Sequence, residues 1–419
     1  MINHPVVLWG LVAALASSPL VAQEAPVVSL DEALRMFAAN SLELRAARAR
    51  SDEAAGLARQ AGAFANPSLM ATHEPLSGGG RAYSETYLTV SQRLEISGTR
   101  GARADAGALR WEAARALVHA DSARLAFEVK EAFLEAALAQ ESFDVTERVA
   151  DVFREAARSA TERYEAGDIS LYALRRIRVE RARYETLLLD ADLDVAATQR
   201  ALALVVAPED DALRLAAEPL PTDTPPDLLA EGLQLTVIER RPELVAARAD
   251  FEAQEAQARF ARAERIPVVT ATGGLKRQSD GLRGAFLGLS VPFPIFDRNA
   301  GAVDAADAGA RGAQERLTLT ERQLQNDVLR ATDAYAALRR RAALLTDDAI
   351  GDTADLLEIA LVAYDAGDME LVELLDAAEA LHQARTAEAH LLAQLWIAHF
   401  DLERAVGGFA GAPSTEDGQ

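Results

Sequence analysis

The sequence contains 419 residues, half of them apolar, and its formal net charge of −22 argues against nucleic acid as a partner, because like charges repel. It contains no cysteine, which excludes disulfide bonds, thiolate metal sites, c-type haem, cysteine nucleophiles and lipid attached through an N-terminal cysteine.

The N-terminus has the outline of a secretory signal. Residues 6–16 form a short apolar run, which is followed by small and turn-forming residues up to Ala22. We predict a signal peptide over residues 1–22. No later segment has the ~20 uncharged apolar residues that a transmembrane helix needs, so any part of the mature chain that enters a membrane is expected to do so as strands.

An internal duplication organises the rest of the chain. The segment Tyr164–Asp168 returns at a fixed offset as Tyr364–Asp368, and only Glu165, which becomes Asp365, differs between the two copies. Each copy therefore spans roughly 200 residues. We predict repeat 1 over residues 29–206, a proline-rich linker over 207–227, repeat 2 over 228–407 and a disordered tail over 408–419.

Both copies of the duplicated segment contain a Gly-Asp pair that interrupts a long run of helix-forming residues. Glycine adopts a positive φ at little cost and therefore suits a tight turn between two helices. We predict such turns over residues 164–169, at Gly167, and over residues 364–369, at Gly367.

Most of repeat 1 is predicted to be helical. Ser29 and Glu32 have the spacing of a capping box, which indicates that a helix begins there. Further helices are predicted from Leu42 to about Phe64, from Gly101 to Tyr164 and from Leu171 to about Val206. Repeat 2 is predicted to follow the same plan, with helices at 242–265, 300–364 and 371–406.

Between the first helices and the long helix of each repeat, the apolar residues alternate with a period of two, which is typical of a strand with one apolar and one polar face. In repeat 1, strands are predicted within about 67–97, with Leu88, Val90, Leu94 and Ile96 on one face and Tyr83, Glu85, Thr89, Ser91, Arg93 and Glu95 on the other. In repeat 2, strands are predicted within about 267–297, with Leu287, Leu289, Val291, Phe293 and Ile295 on one face.

The predicted fold class is mainly α with membrane β. Two hairpins supply four strands per chain, and the smallest known membrane barrels have about eight, so one chain alone cannot close a barrel. Three chains supply about twelve strands, with the long antiparallel helices gathered into an α-barrel. The alternative to a membrane barrel is a small soluble sheet with one solvent-exposed face.

The tested patterns of catalytic and metal-binding residues are incomplete. Asp190, Asp192 and Asp194 have the spacing of a calcium loop, but Val195 and Ala201 stand where that loop needs glycine and glutamate. His382, His390 and His399 lie too far apart along a helix to share one ion, and no serine, histidine and carboxylate carry a nucleophile signature. We predict no enzyme activity, no cofactor and no metal site.

Three motifs carry a family resemblance. They are Arg241-Pro242-Glu243-Leu244 at a helix start, the junction Val291–Asn299 with Gly301, and the corresponding junction Arg93–Arg100. With the glycine turns, they make the chain resemble the TolC family of trimeric outer-membrane efflux channels from about residue 29 to residue 408. The junctions look most like the heavy-metal branch typified by cobalt, zinc and cadmium exporters.

The resemblance implies a homotrimer that spans the outer membrane lipid as a β-barrel and extends through the periplasm as a helical tube with a closed tip. The residues at the two tip turns, Gly167, Asp168, Gly367 and Asp368, would meet a periplasmic adaptor, or membrane fusion, protein linked to a proton-driven inner-membrane pump. The protein would then be the passive export duct of a tripartite efflux system for metal cations or small toxic compounds.

The resemblance also implies gate and selectivity residues near the tip. Tyr364 matches a gating tyrosine, and Glu373 and Asp376 match two acidic rings. Two positions depart from the family pattern, because Met369 stands where some members carry a gate arginine and Ala173 stands where a carboxylate is expected. The latch is therefore expected to be built differently here.

Two other functions share parts of this pattern. The duct of a type I protein secretion system has the same fold, although the junction motifs favour metal or small-molecule efflux. A periplasmic coiled-coil scaffold without strands is the other alternative.

Overall fold

The structure is a computed structural model of the chain that describes residues 25–78, 81–206, 214–228, 235–344 and 347–407, with no side-chain description for 78, 81–82, 235–237 and 347–356. The predicted signal peptide, residues 1–22, the predicted tail, residues 408–419, and the first part of the predicted linker lie outside the described residues.

The described chain consists of long helices and two small sheets. The helices are α1 (Leu30–Asn40), α2 (Leu42–Gly62), α3 (Thr99–Ala166), α4 (Leu171–Val206), α5 (Pro242–Ala263), α6 (Ala300–Ala342), α7 (Asp347–Ala366) and α8 (Leu371–Ala405), with a 3₁₀ helix at Leu235–Arg240. The strands are β1 (Val27–Val28), β2 (Ser68–Gly78), β3 (Arg81–Leu94), β4 (Ala216–Ala217), β5 (Val269–Gln278) and β6 (Arg283–Ser290).

Strands β2, β3, β5 and β6 form one antiparallel sheet in the order β2-β3-β5-β6. The sheet therefore joins the hairpin of repeat 1 to the hairpin of repeat 2. Leu88 of β3 is opposite Ala71 on one side and Leu275 on the other, so their side chains share one face.

The two faces of this sheet differ in chemistry and exposure. The face that carries Leu69, Leu275 and Leu287 is apolar, and these side chains are 70%, 62% and 91% exposed. The opposite face carries polar side chains that contact one another across the strands. There Lys276 Nζ lies 2.8 Å from Glu85 Oε2, and Gln278 Nε2 donates to Glu85 Oε1 at 2.8 Å.

Helix α3 is the longest element and connects the sheet to the first glycine turn. Its 68 residues correspond to roughly 100 Å at 1.5 Å per residue. It packs against α2, α4, α5 and α8. Many of its buried residues are alanines, among them Ala132, Ala136 and Ala156, and such small side chains allow neighbouring helices to approach closely.

Buried apolar residues form clusters along the helices. One cluster brings α1, α3, α4 and α8 together and includes Phe37, Phe133 and Leu202. Another lies towards the glycine turns and includes Phe153 and Tyr364. The turns are therefore attached to a packed end of the molecule.

Among the described residues, no helix is both long enough and apolar enough to cross a membrane.

Two predicted elements of repeat 2 are wrong in their extent. The helix predicted over residues 300–364 is two helices, because α6 ends at Ala342 and α7 begins at Asp347. The last turn of α6 carries Arg339, Arg340 and Arg341, whose positive charges suit the negative end of the helix dipole.

The strand predicted to continue to Ile295 ends at Ser290. The alternation of apolar residues continues beyond that point, but Pro292 and Pro294 have no backbone N–H to donate to a neighbouring strand. The segment that follows is irregular and leads into α6.

The predicted linker contains structure that no pattern in the sequence indicates. Within it, Ala216 and Ala217 pair in parallel with Val27 and Val28, so the segment just before repeat 1 is tied to the linker that follows the repeat. Further on, Trp396 Nε1 donates to the carbonyl oxygen of Asp223 at 3.1 Å, which attaches the linker to α8.

Candidate functional site

The two glycine turns have the same backbone geometry. Gly167 and Gly367 have φ values of 86° and 82°, in the left-handed region. At the first turn, the Gly167 N–H donates to the Tyr164 carbonyl and the Asp168 N–H donates to the Arg163 carbonyl, at 3.0 and 2.8 Å. These two bonds define a Schellman motif, which satisfies the last carbonyls of α3.

The second turn repeats this pattern. The Gly367 N–H donates to the Tyr364 carbonyl at 3.1 Å, and the Asp368 N–H donates to the Ala363 carbonyl at 2.9 Å. We call these two turns, residues 167–170 and 367–370, the tip turns. Their equivalence gives the duplication a structural meaning, since each repeat ends the helix before its glycine with the same motif.

The helices that follow the tip turns begin with different caps. At α4, the hydroxyl of Ser170 accepts a hydrogen bond from the Ala173 N–H at 3.2 Å. At α8, the Glu370 N–H donates to Glu373 Oε2 at 3.1 Å, and the Glu370 side chain accepts from the Glu373 N–H. This reciprocal pair is a capping box formed by two glutamates.

A side chain outside all of the predicted site residues joins the tip turns. Arg163, near the end of α3, donates from Nη1 to the carbonyl oxygen of Tyr364 at 2.8 Å. Its guanidinium carbon also lies 5.3 Å from the centroid of the Tyr364 ring. The position equivalent to Arg163 in repeat 2 is Ala363, and that break in the duplicated pattern was the available sequence signal.

The two tyrosines that precede the tip-turn glycines have different surroundings. Tyr364 is 3% exposed and belongs to the cluster that contains Phe153, whereas Tyr164 is 39% exposed. Burial raises the pKa of the Tyr364 hydroxyl above its ordinary value, and the positive charge of Arg163 opposes that shift. Tyr364 is therefore a neutral packing residue between the two repeats.

The predicted acidic residues are exposed. Asp168, Asp368, Glu373 and Asp376 all lie on the surface around the tip turns. Glu373 has the additional role in the capping box, so its carboxylate is tied to the start of α8. A cleft of about 440 Å³ lies between the tip turns and is lined in part by Arg163, Tyr172, Arg176, Tyr364, Glu370 and Glu373.

The surface beside the tip turns also presents apolar side chains. Leu171, Tyr172 and Val372 lie in the first turns of α4 and α8 and are 45%, 71% and 44% exposed. A surface that combines exposed apolar residues with charged ones is suited to contact with another protein. Within the part of the chain that the structure describes, no group of three or more histidine, aspartate or glutamate residues is placed to hold a metal ion.

Comparison with known proteins assigns the family. A family model described as outer membrane efflux protein matches residues 33–207 and 235–408. The chain belongs to the outer membrane efflux protein family. The predicted resemblance to this class of channels is thereby confirmed, and so is the outer membrane as the place of the protein.

Two relatives of this outer membrane efflux protein have names that refer to metal resistance. The cobalt-zinc-cadmium resistance protein CzcC of Cupriavidus metallidurans is 27% identical over 384 residues, which are 91% of this chain and 90% of the relative. The nickel-cobalt-cadmium resistance protein NccC of Alcaligenes xylosoxydans xylosoxydans is 29% identical over 309 residues, which are 72% of this chain and 69% of the relative.

Solved structures confirm the predicted fold class. The outer membrane protein VceC of Vibrio cholerae matches with a TM-score of 0.74 and 22% identity, over 90% of this chain and 96% of that one. The outer membrane channel CmeC of Campylobacter jejuni matches with a TM-score of 0.77 and 17% identity, over 93% of this chain and 87% of that one. This outer membrane efflux protein therefore has the fold of these channels.

Proposed function

We propose that the protein is the outer-membrane subunit of a tripartite efflux system and serves as a passive export duct for metal cations. Membership of the efflux family supports export, and the metal-resistance relatives CzcC and NccC support metal cations as cargo. The observation that carries the docking part of the proposal is the pair of equivalent tip turns, held side by side at the end of α3 that is remote from the sheet.

The duct is a homotrimer in this proposal. One chain supplies the four strands β2, β3, β5 and β6, and three chains supply about twelve, which is within the range of known membrane barrels. The exposed apolar face of the sheet, with Leu69, Leu275 and Leu287, faces lipid. The polar face, with Glu85 and Lys276, lines the lumen.

The helices form the periplasmic part of the duct, and the tip turns dock to a periplasmic adaptor. The exposed Leu171, Tyr172 and Val372 supply apolar contact area there, and Asp168 and Asp368 supply charge. The adaptor connects the duct to a proton-driven pump in the inner membrane, because an open conduit has no energy source of its own.

The test is a strain that lacks this protein, challenged in parallel with cobalt, zinc and cadmium salts, with dyes and antibiotics, and assayed for secreted proteins. We expect greater sensitivity to the metal cations, which the wild-type gene reverses. Sensitivity to dyes and antibiotics alone would overturn metal cations as cargo. Loss of a secreted protein without metal sensitivity would instead support the duct of a type I secretion system.

A scaffold without strands, the other alternative from the sequence, is wrong, because the chain forms the four-stranded sheet and belongs to a channel family.

A further inference from the structure

The apolar face of the sheet ends in a row of basic and polar side chains. Four residues, one on each strand, lie side by side at the same level: His73 on β2, Thr86 on β3, Arg277 on β5 and Arg283 on β6. Directly opposed residues point to the same face of a sheet, so this row continues the face that carries Leu88 and the other exposed leucines.

The row lies at the end of the sheet that is remote from the helices. Arg277 and Arg283 are the last pair of the β5–β6 ladder before the turn that joins these strands, whereas α3 and α6 follow the opposite ends of β3 and β6. From Leu94 to Thr86 the strand rises roughly 27 Å, or about 20 Å along a barrel axis at a tilt of ~40°. An outward apolar band is about 25 Å tall, so the row is placed at the far edge of that band.

The opposite edge of the band is marked by exposed aromatic residues. Phe293 and Phe296, in the segment between β6 and α6, are 84% and 100% exposed. Aromatic side chains are typical of the interface between hydrocarbon and headgroups in membrane barrels. With the aromatic residues at the edge near the helices, the basic row falls at the headgroup level of the outer leaflet.

The two arginines have no acidic partner. Both are exposed, and among the described residues neither side chain makes a hydrogen bond or an ion pair. No aspartate or glutamate stands on this face of β2, β3, β5 or β6. Two like charges directly opposite each other on neighbouring strands are unfavourable, so an external anion between them would stabilise the pair.

We propose that Arg277 and Arg283 bind a phosphate group of the lipid headgroups in the outer leaflet, with His73 at the side of the site. The proposal rests on the proposed function, in which this face of the sheet contacts lipid. Arginine is suited to the ligand because its planar guanidinium donates two parallel hydrogen bonds to phosphate oxygens. The adjoining leucines would contact the acyl chains of the same lipid.

The test measures binding of lipid A that carries both of its phosphates to the full chain in detergent. We expect the variant Arg277→Gln with Arg283→Gln to bind at least about tenfold more weakly, because charge-assisted hydrogen bonds to the phosphate are lost. Arg283→Gln alone is expected to weaken binding several-fold, and this single variant is used for the test if the double variant does not fold. The matched control is Arg93→Gln, which removes an exposed arginine from the polar face of β3.

Wild-type affinity in both glutamine variants would overturn the proposal. Equal binding of lipid A without phosphates, or full competition by inorganic phosphate at equal concentration, would also overturn it. Membrane fractionation and conductance separate this result from the proposed function. If the wild-type protein is in the outer membrane and conducts ions, only the lipid site fails; if it is not, the duct itself fails.

Discussion

Arg163 Nη1 lies 2.8 Å from the carbonyl oxygen of Tyr364, so a side chain of repeat 1 caps the helix that ends at the tip turn of repeat 2. Ala173 and Met369 are the two positions near the tip turns at which the sequence departs from the pattern that the family resemblance implies. Arg163 supplies a contact between the two tip turns that involves neither of those positions.

The first prediction concerns this contact. Arg163→Ala removes a charge-assisted hydrogen bond worth about 1.5–3 kcal/mol, and it also removes the cation from the face of the Tyr364 ring. We expect the two tip turns to separate more readily. Single-channel recording in planar bilayers should therefore show a larger conductance or more frequent opening than the wild type.

The control for this measurement is Arg158→Ala. Arg158 lies on the same helix and its side chain is 66% exposed; among the residues that the structure describes, its one ion pair is with Glu155 at the surface. It is expected to leave the conductance unchanged. Wild-type conductance in Arg163→Ala would show that the contact does not hold the tip closed.

The second prediction concerns the glycines of the tip turns. Gly367→Val places a β-branched residue at a φ of 82°, which costs about 1–2 kcal/mol and disturbs the Schellman motif. Gly167→Val has the same effect at a φ of 86°. We expect either variant to reduce both cross-linking to the adaptor and metal efflux.

The matched control for the glycines is Gly56→Ala. Gly56 lies inside α2, its φ is not positive, and an added Cβ would meet no atom within 4 Å. Alanine there is expected to keep docking and efflux intact, since it favours the helix. Normal cross-linking and efflux in both valine variants would rule out the tip turns as the docking site.

The third prediction concerns pH. Burial lowers the pKa of His399 below its ordinary value of 6.5, and the charges of Lys130 and Arg339 add to this effect. Glu403 and a hydrogen bond with Pro226 oppose it. A histidine whose pKa is lower in the folded state is protonated more readily when unfolded, so its contribution to stability is present above pH 6.5 and is lost as the pH falls below it.

The measurement is the melting temperature between pH 7.5 and pH 5.5, values chosen to bracket the ordinary histidine pKa of about 6.5. We expect the wild type to lose stability towards the lower pH and His399→Phe to lose less, because phenylalanine has no proton to bind. His119→Gln, on the exposed side of α3, is the control. An identical pH dependence in wild type and His399→Phe would contradict the prediction.

The two tip turns and the four strands could be predicted from the sequence because their signals are local. At each tip turn a Gly-Asp pair interrupts a run of helix-forming residues, and period-two alternation of apolar residues marks a strand. The end of β6 was misjudged because the apolar alternation continues to Ile295, while Pro292 and Pro294 remove the donors that pairing requires.

The contact of Arg163 was not predictable in the same way. Its acceptor is a backbone carbonyl, which has no residue-type signature, and Tyr364 is distant along the chain. The pairing of Ala216–Ala217 with Val27–Val28 involves only two residues on each side, which is too short to produce an alternating pattern. The Arg163 contact depends on how the two repeats pack together, and the short parallel pair depends on how the segments that flank repeat 1 meet.

The last prediction is that Glu373 and Asp376 form two rings of carboxylates at the narrow end of the trimeric tube. Both are exposed, and residues three apart lie on the same side of a helix.

Because Glu373 also accepts a hydrogen bond from the Glu370 N–H, an alanine there would damage the capping box as well as remove the charge. Glu373→Gln keeps an acceptor for that bond, so Glu373→Gln with Asp376→Asn tests the charge alone. Crowded carboxylates attract cations, and we therefore expect the double variant to lose cation preference and to be blocked less by multivalent cations in planar bilayers.

The control for the carboxylate rings is Asp190→Asn with Asp194→Asn, which neutralises two exposed carboxylates on α4 and should leave selectivity unchanged. Wild-type selectivity and block in the variant at 373 and 376 would mean that these carboxylates lie on the outer surface of the tube.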